Sequence, residues 1–144
     1  PDRLISSAKS WLCQNRIARE DQILPWNSKV EKKYSPVEAS SFYLKHLISS
    51  LKEDLKSCVT ITVPASFDEV ARELTVKAAK KAGIEELILL EEPQAAFYSW
   101  ISSKGEAWRD DLCKGDVVLV CDLGGGTSDF SLIAIDEEDG QLPV

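Results

Sequence analysis

The sequence predicts an α/β fold, and two stretches carry that prediction. In the first, the apolar runs CVTITVPA and EELILL enclose one amphipathic segment. Such a strand-helix-strand unit of about 35 residues favours parallel strands with a right-handed crossover. In the second, VVLVCDLGGGTSDFSLIAI, three glycines join two further apolar runs that have strand composition. The β-branched and aromatic content of FSLIAI favours a strand over a helix, so the glycines are expected between two strands.

Two capping boxes predict where helices begin. Ser35 and Glu38 have the spacing of an N-cap residue and its reciprocal partner, and Ser66 and Glu69 repeat that spacing. The second helix is expected to end at Gly83, since glycine commonly follows a helix. The first helix carries an apolar stripe at helical spacing, formed by Leu44, Leu47, Ile48, Leu51 and Leu55.

Other segments are assigned from apolar spacing alone. A helix is expected in the opening RLISSAKSWLC, with Lys9 beside its apolar face, and another from Pro93 to about Ile101. Residues 14–34 have no sustained period and predict loop or short irregular strands, and residues 99–116 predict a polar connection. The apolar face of the opening helix comprises Leu4, Ile5, Ala8, Trp11 and Leu12.

Composition excludes several classes of partner. The chain has 144 residues and a formal net charge of −7, which argues against nucleic acid and anionic membranes, because both require clustered Lys and Arg. No apolar run approaches the roughly 18 residues of a transmembrane helix, so a cytoplasmic protein is expected. The chain has no methionine and starts at Pro1, so we expect it to be a piece of a longer protein.

The three glycines Gly124, Gly125 and Gly126, here called the glycine loop, favour phosphate binding. Each costs about 0.5–1 kcal/mol relative to alanine, which indicates that the backbone turns with positive φ or lies bare against something. Exposed amides form an anion-binding concavity, and the Thr127 hydroxyl could reach a phosphoryl oxygen. Asp122 beside a phosphate predicts a magnesium ion or a bridging water. A structural bulge remains the alternative.

Four segments in order along the chain resemble the DnaK-type heat-shock chaperones of the actin-like ATPase superfamily. DLGGGTSD resembles the second phosphate loop, DLGGGTFD, and TVPASFDEVARELTVKAAKKAG resembles the VPA-x-F strand and helix. LLEEPQAAFYSW resembles the NEPTAA segment, and SAKSWL resembles the lysine-bearing segment. The resemblance implies a partial ribonuclease-H-like, actin-like ATPase fold. Residues 1–98 would belong to the first lobe, 99–116 to a connection and 117–144 to the start of the second lobe.

The resemblance also implies roles for individual residues. Lys9 would position the attacking water or the transferred phosphoryl group. Glu92 and Asp122 would hold the water shell of magnesium, and the glycine loop and Thr127 would bind the phosphates of ATP or ADP. A solvated Lys9 and a helix-capping Glu92 are the structural alternatives.

Two further residues match positions that relay nucleotide state to a substrate domain in that family. Pro64 would be the switch proline and Arg72 the relay arginine, although a strand-ending proline and a surface arginine explain them equally well. A connection from Ser99 to Gly115 that is longer than in the common chaperones suggests a bacterial member. Several departures from the family pattern indicate that this member is divergent. They are Ser66 in place of tyrosine, Ser128 in place of phenylalanine, Glu91 in place of asparagine and Gln94 in place of threonine.

The implied reaction of the longer protein is hydrolysis of ATP to ADP and phosphate, which would switch the binding of client polypeptides, with co-chaperones as further partners. The chain lacks the family's first phosphate loop and its adenosine-binding second lobe, so we expect little or no ATPase from the chain alone. A sugar kinase of the same fold and a non-hydrolysing scaffold are the alternatives. The joint presence of Lys9, Glu92, Asp122 and Thr127 speaks against the scaffold.

Overall fold

The computed structural model describes residues 2–52, 59–125 and 127–136. Helices and strands both occur, as the α/β prediction requires. Within these ranges, none of the helices has the length and apolarity needed to cross a bilayer. The elements are α1 (Ala8–Leu12), α2 (Pro36–Ser49), β1 (Val59–Val63), α3 (Glu69–Lys81), β2 (Leu87–Glu91), α4 (Glu92–Lys104), a 3-10 helix (Gly105–Ala107), α5 (Trp108–Asp111), β3 (Val117–Leu123) and β4 (Ser128–Ala134).

The chain forms two compact units. The first comprises Pro1–Ile61 and Ser66–Leu89, and the second comprises Thr62–Ala65 and Leu90–Val144. In the first unit, α1, α2 and α3 contact one another. In the second unit, α4 contacts β3.

The first capping box is confirmed and starts α2. The Ser35 hydroxyl accepts from the Glu38 N–H at 3.1 Å, and the Glu38 carboxylate accepts from the Ser35 N–H at 3.0 Å. The buried residues of α2 lie in its first two turns, so the predicted leucine stripe does not mark its buried face. Leu47, for example, is 61% exposed. Leu55 of that stripe lies outside the described residues.

The predicted start of α3 is wrong by two residues. Asp68, not Ser66, is the N-cap residue, and its carboxylate accepts from the Ala71 N–H at 2.8 Å. Aspartate and serine are equally good caps, so the spacing of Ser66 and Glu69 could not decide between them. The predicted stop is confirmed, because Gly83 follows the helix with a φ of +93°.

The opening helix is shorter than predicted. Ser7 adopts a left-handed conformation, with φ 57° and ψ 32°, which cannot continue into a right-handed helix. Leu4 therefore lies outside α1 and is 71% exposed. Ala8 packs with Leu24 and Ala39 in one buried cluster. Around this cluster lie the partly buried Ile5, Trp11 and Ile23.

The segment between α1 and α2 is irregular, as predicted. It contains one isolated antiparallel β-bridge, in which Leu24 and Tyr34 exchange backbone hydrogen bonds of 2.9 and 2.8 Å. This bridge places Leu24 in the buried cluster beside Ala8. The irregular segment thus contributes to the packing of α1.

The predicted strands are confirmed, whereas the parallel direction of β1 and β2 and the right-handed crossover stay predictions. β1 and β2 are hydrogen-bonded neighbours in a two-stranded sheet, on either side of α3 in sequence. β3 and β4 form an antiparallel hairpin, in which Leu123 pairs with Ser128 next to the glycine loop. The polar connection between α4 and β3 also contains the short helix α5.

Candidate functional site

The residues predicted for one site lie on both units. Lys9 is exposed on α1 and Arg72 is half-buried on α3, both in the first unit. Pro64 directly follows β1, and Glu92 is the first residue of α4, both half-buried in the second unit. Asp122, on β3, also belongs to the second unit and is exposed. Within that unit, the contact of α4 with β3 joins the elements that carry Glu92 and Asp122.

The glycine loop connects β3 to β4, and its first member closes the turn. The Gly124 N–H donates to the Thr127 carbonyl at 3.0 Å. Thr127 is exposed at the start of the return strand, so its hydroxyl is accessible to solvent. Gly126 lies outside the described residues, so its predicted role stays a prediction.

The hairpin itself gives no reason for glycine at the two described positions. Neither Gly124 nor Gly125 has a positive φ, which the chain does use at Gly83. Among the described residues, a Cβ atom at Gly125 would meet nothing within 4 Å, and one at Gly124 would lie 3.5 Å from the Thr127 carbonyl, an ordinary contact. Alanine would therefore fit both positions at a lower entropic cost. The described part of the hairpin therefore does not explain why glycine occupies these two positions.

Two carboxylates face each other at the base of this loop. Asp122 and Asp129 are direct cross-strand partners in the β3–β4 register. Like charges in this arrangement repel, so a cation or its water shell would relieve the repulsion. Magnesium commonly keeps several waters and takes one or two carboxylates together with phosphate oxygens, and this donor set fits that pattern. Among the residues described, no three metal-ligating side chains cluster.

Glu92 lies where two roles are physically compatible. It occupies the first turn of α4, directly before Pro93, and a carboxylate there interacts favourably with the helix dipole. The residue before it, Glu91, is the N-cap residue and makes no side-chain capping bond. The dipole interaction does not use all acceptor sites of the carboxylate. A carboxylate here stabilises the helix, and the role of Glu92 in a metal's water shell stays a prediction.

Sequence reasoning missed an ion pair between Arg19 and Asp68. The guanidinium donates to both carboxylate oxygens, at 2.8 and 2.7 Å. The hydrogen bond with Arg19, and then that with the Ala71 N–H, lowers the pKa of Asp68 from 3.8 to about 2. The two residues are 49 positions apart, so no local spacing could have revealed the pair.

Asp68 is expected to make the chain sensitive to acid in a defined range. A carboxyl group whose pKa is lowered by folding stabilises the folded state above its unfolded pKa, and this contribution disappears as the pH falls through the folded pKa. The free energy of unfolding of the parent chain, relative to Asp68→Asn, should therefore decrease between about pH 4 and pH 2. Urea unfolding across this range measures it.

Asparagine at position 68 can still cap α3, so this comparison isolates the charge. Asp21→Asn, which changes an exposed carboxylate in the same irregular segment as Arg19, is the matched control. A difference between the parent chain and Asp68→Asn that stays constant from pH 5 to pH 2 would contradict the assignment.

Comparisons with known proteins point to one family. A family model described as "Hsp70 protein" matches residues 5–144. A chaperone protein dnaK of Thalassiosira pseudonana is 40% identical over 111 residues, which cover 75% of the chain and 17% of that protein. A chaperone protein HscA homolog of Mannheimia succiniciproducens is 40% identical over 124 residues, covering 83% and 19%. A chaperone protein DnaK of Mycoplasmopsis synoviae is 39% identical over 116 residues, covering 78% and 18%. The chain spans less than a fifth of each of these relatives.

Proposed function

Because the chain belongs to the Hsp70 family, whose nucleotide-binding domain has the actin-like ATPase fold, we propose that it forms part of an ATP-hydrolysing domain in a longer protein. The proposed reaction is hydrolysis of ATP to ADP and phosphate, coupled to the binding of client polypeptides. The relatives include a diatom protein, so bacterial origin stays a prediction, as does the cytoplasmic location.

One observation supports phosphate binding above all others, namely that the hairpin does not require glycine at the two described positions of the loop. Gly124 and Gly125 have neither positive φ nor a crowded Cβ position. Bare backbone amides between two strands form a concavity for anions. The adjacent hydroxyl of Thr127 adds a donor for a phosphoryl oxygen, and the opposed carboxylates Asp122 and Asp129 add a place for a hydrated cation.

In the proposed mechanism, this chain supplies positioning and charge. The glycine loop and Thr127 would bind the β- and γ-phosphates through the backbone amides that the turn does not use and through the Thr127 hydroxyl. Asp122 and Glu92 would hold the water shell of magnesium, and the ion would supply positive charge to the phosphates. Lys9 carries a positive charge to the attacking water or the transferred phosphoryl group, where it stabilises the transition state.

The proposal extends to communication with a substrate domain. Pro64 ends β1, and Arg72 lies in the first turn of α3, so both stand at the boundary of a regular element, where small backbone changes can be transmitted. We propose that they relay the nucleotide state to the part of the protein that binds client polypeptides and co-chaperones. Nucleotide binding would then shift a population between two states.

A single-turnover ATPase assay on the full-length protein, with and without magnesium, tests this function. The unmodified protein should hydrolyse ATP only with magnesium. Asp122→Asn should lower the rate by about 10- to 100-fold, the usual cost of losing a partner in a metal's outer shell. Asp110→Asn, an exposed carboxylate on α5 of the same unit, is the matched control and should leave the rate unchanged.

The alternatives give different results in that assay. If the unmodified protein binds ATP but does not hydrolyse it with magnesium, the chain is part of a scaffold. If it transfers phosphate to an added sugar rather than to water, it is part of a kinase. Either outcome would overturn the proposed function.

The chain of 144 residues is expected to have little or no ATPase activity by itself. Phosphoryl transfer depends on several loops that hold the nucleotide at once, and the family's first phosphate loop and adenosine site are not among the matched segments. Release of labelled phosphate by the chain, beside the full-length protein at equal concentration, measures this. Magnesium-dependent turnover by the chain near the full-length rate would contradict the expectation.

A further inference from the structure

The ion pair between Arg19 and Asp68 connects the irregular segment after α1 to the start of α3. The guanidinium meets the carboxylate through two hydrogen bonds of 2.8 and 2.7 Å. The Arg19 side chain is only 11% exposed, whereas Asp68 is 45% exposed. A fork of two parallel bonds fixes orientation as well as distance. Arg19 therefore determines how Asp68 is oriented.

The surroundings of Arg19 connect the pair to α1. The guanidinium also donates to the side chain of Asn15. The charges of Arg19, Asp68 and Lys9 all act on the pKa of Cys13, which burial raises. Cys13 directly follows α1, so the ion pair lies close to the end of the helix that carries Lys9.

Asp68 in turn fixes the first turn of α3, where Arg72 lies. Its carboxylate accepts from the Ala71 N–H at 2.8 Å, and its carbonyl accepts from the Arg72 N–H at 3.0 Å. The neighbouring Phe67 is buried, and its carbonyl accepts from Nε of Arg72 at 3.3 Å. Any rotation of residues 67–68 would therefore move both the backbone and the guanidinium of Arg72.

We propose that Arg19 is a positioning residue for Arg72: its bidentate bond to Asp68 holds the first turn of α3 in the arrangement from which Arg72 relays the nucleotide state. This inference rests on the proposed function. It adds a residue of the irregular segment, which lies outside the four segments that carried the resemblance, to the path between the nucleotide and the client-binding part of the protein.

A second ion pair joins the same two elements and provides the matched control. Lys77 Nζ lies 2.5 Å from the Glu20 carboxylate, and both side chains are more than half exposed. This pair also connects the irregular segment to α3, but it lies beyond the first turn and has no bond to the cap. If connecting the two elements were all that mattered, losing either pair would have the same effect.

The experiment measures ATP turnover by the full-length protein with and without a saturating client peptide, and uses the ratio of the two rates. In Arg19→Ala the ratio should fall by about fivefold or more, the lower range of allosteric coupling. Asp68→Asn should show the same loss, because asparagine keeps the cap and removes the ion pair. Arg19→Lys keeps the charge but cannot form the two parallel hydrogen bonds. Its ratio should therefore lie between those of Arg19→Ala and the unmodified protein. Lys77→Ala should leave the ratio unchanged.

A double variant tests whether Arg19 acts through Arg72. Arg19→Ala combined with Arg72→Ala should lower the ratio no further than Arg72→Ala alone, since residues on one path are not additive. Additive losses would overturn the proposal, and so would equal losses in Arg19→Ala and Lys77→Ala. If Arg19→Ala fails to fold, Asp68→Asn with Lys77→Ala decides the same question.

The failures of the inference and of the proposed function are distinguishable. If the unmodified protein does not hydrolyse ATP, or does not respond to any client peptide, the proposed function fails and the inference fails with it. If the unmodified protein responds and Arg19→Ala or Asp68→Asn responds equally, the inference alone fails.

Discussion

Lys9→Ala is expected to lower the single-turnover rate of ATP hydrolysis by the full-length protein by about 10²- to 10³-fold, the usual cost of removing one group that stabilises transition-state charge. Lys9 is exposed on α1, whose buried residues are Ala8 and Leu12. The substitution removes no buried side chain. A lower hydrolysis rate in Lys9→Ala would therefore reflect the loss of the lysine from the reaction and not unfolding of the protein.

The matched control is Lys45→Ala, which removes the same charge from an exposed position on α2 in the same unit. It should leave the rate unchanged. Because Lys9 is proposed to act in the transition state, Lys9→Ala should lower kcat and kcat/KM together and leave ATP binding near that of the unmodified protein. A rise in KM with unchanged kcat would assign Lys9 to ground-state binding, and an unchanged rate would remove it from the site.

Features set by a few neighbouring residues were predictable from the sequence. The capping box of Ser35 and Glu38 is reciprocal and self-contained, so its spacing identifies it wherever the rest of the chain lies. The hairpin around the glycine loop was predictable for the same reason, since two apolar runs separated by a short connection pair with each other. Where two residues competed for one role, as Ser66 and Asp68 did for the cap of α3, local spacing gave the wrong choice.

Features set by distant residues were not predictable. The ion pair of Arg19 with Asp68 depends on how the irregular segment folds back onto α3, and nothing in either segment specifies the other. The exposure of Leu47 has a similar origin, because helical spacing defines a stripe but not how much of it the neighbouring elements cover. The absence of positive φ at Gly124 is a third example. It became known only from the backbone, because the three glycines had allowed either a positive φ or a bare backbone.

Leu24→Ala is expected to lower the free energy of unfolding of the chain by about 2–5 kcal/mol, the range for truncating a buried leucine. Leu24 is 1% exposed and is among the largest fully buried side chains described. It packs with Ala8 and Ala39, whose small side chains leave little material to fill the cavity. Urea unfolding followed by tryptophan fluorescence measures the change.

Leu47→Ala is the matched control, because it removes the same atoms from a side chain that is 61% exposed, and its effect should be within about 0.5 kcal/mol. Equal losses in the two variants would contradict the packing described for Leu24.

The cavity in Leu24→Ala would lie against Ala8, directly before Lys9. Since α1 has only five residues and cannot hold its position by its own hydrogen bonds, hydrogen exchange in α1 should rise in Leu24→Ala and not in Leu47→Ala. A core leucine in an irregular segment would then determine how firmly the proposed catalytic lysine is held.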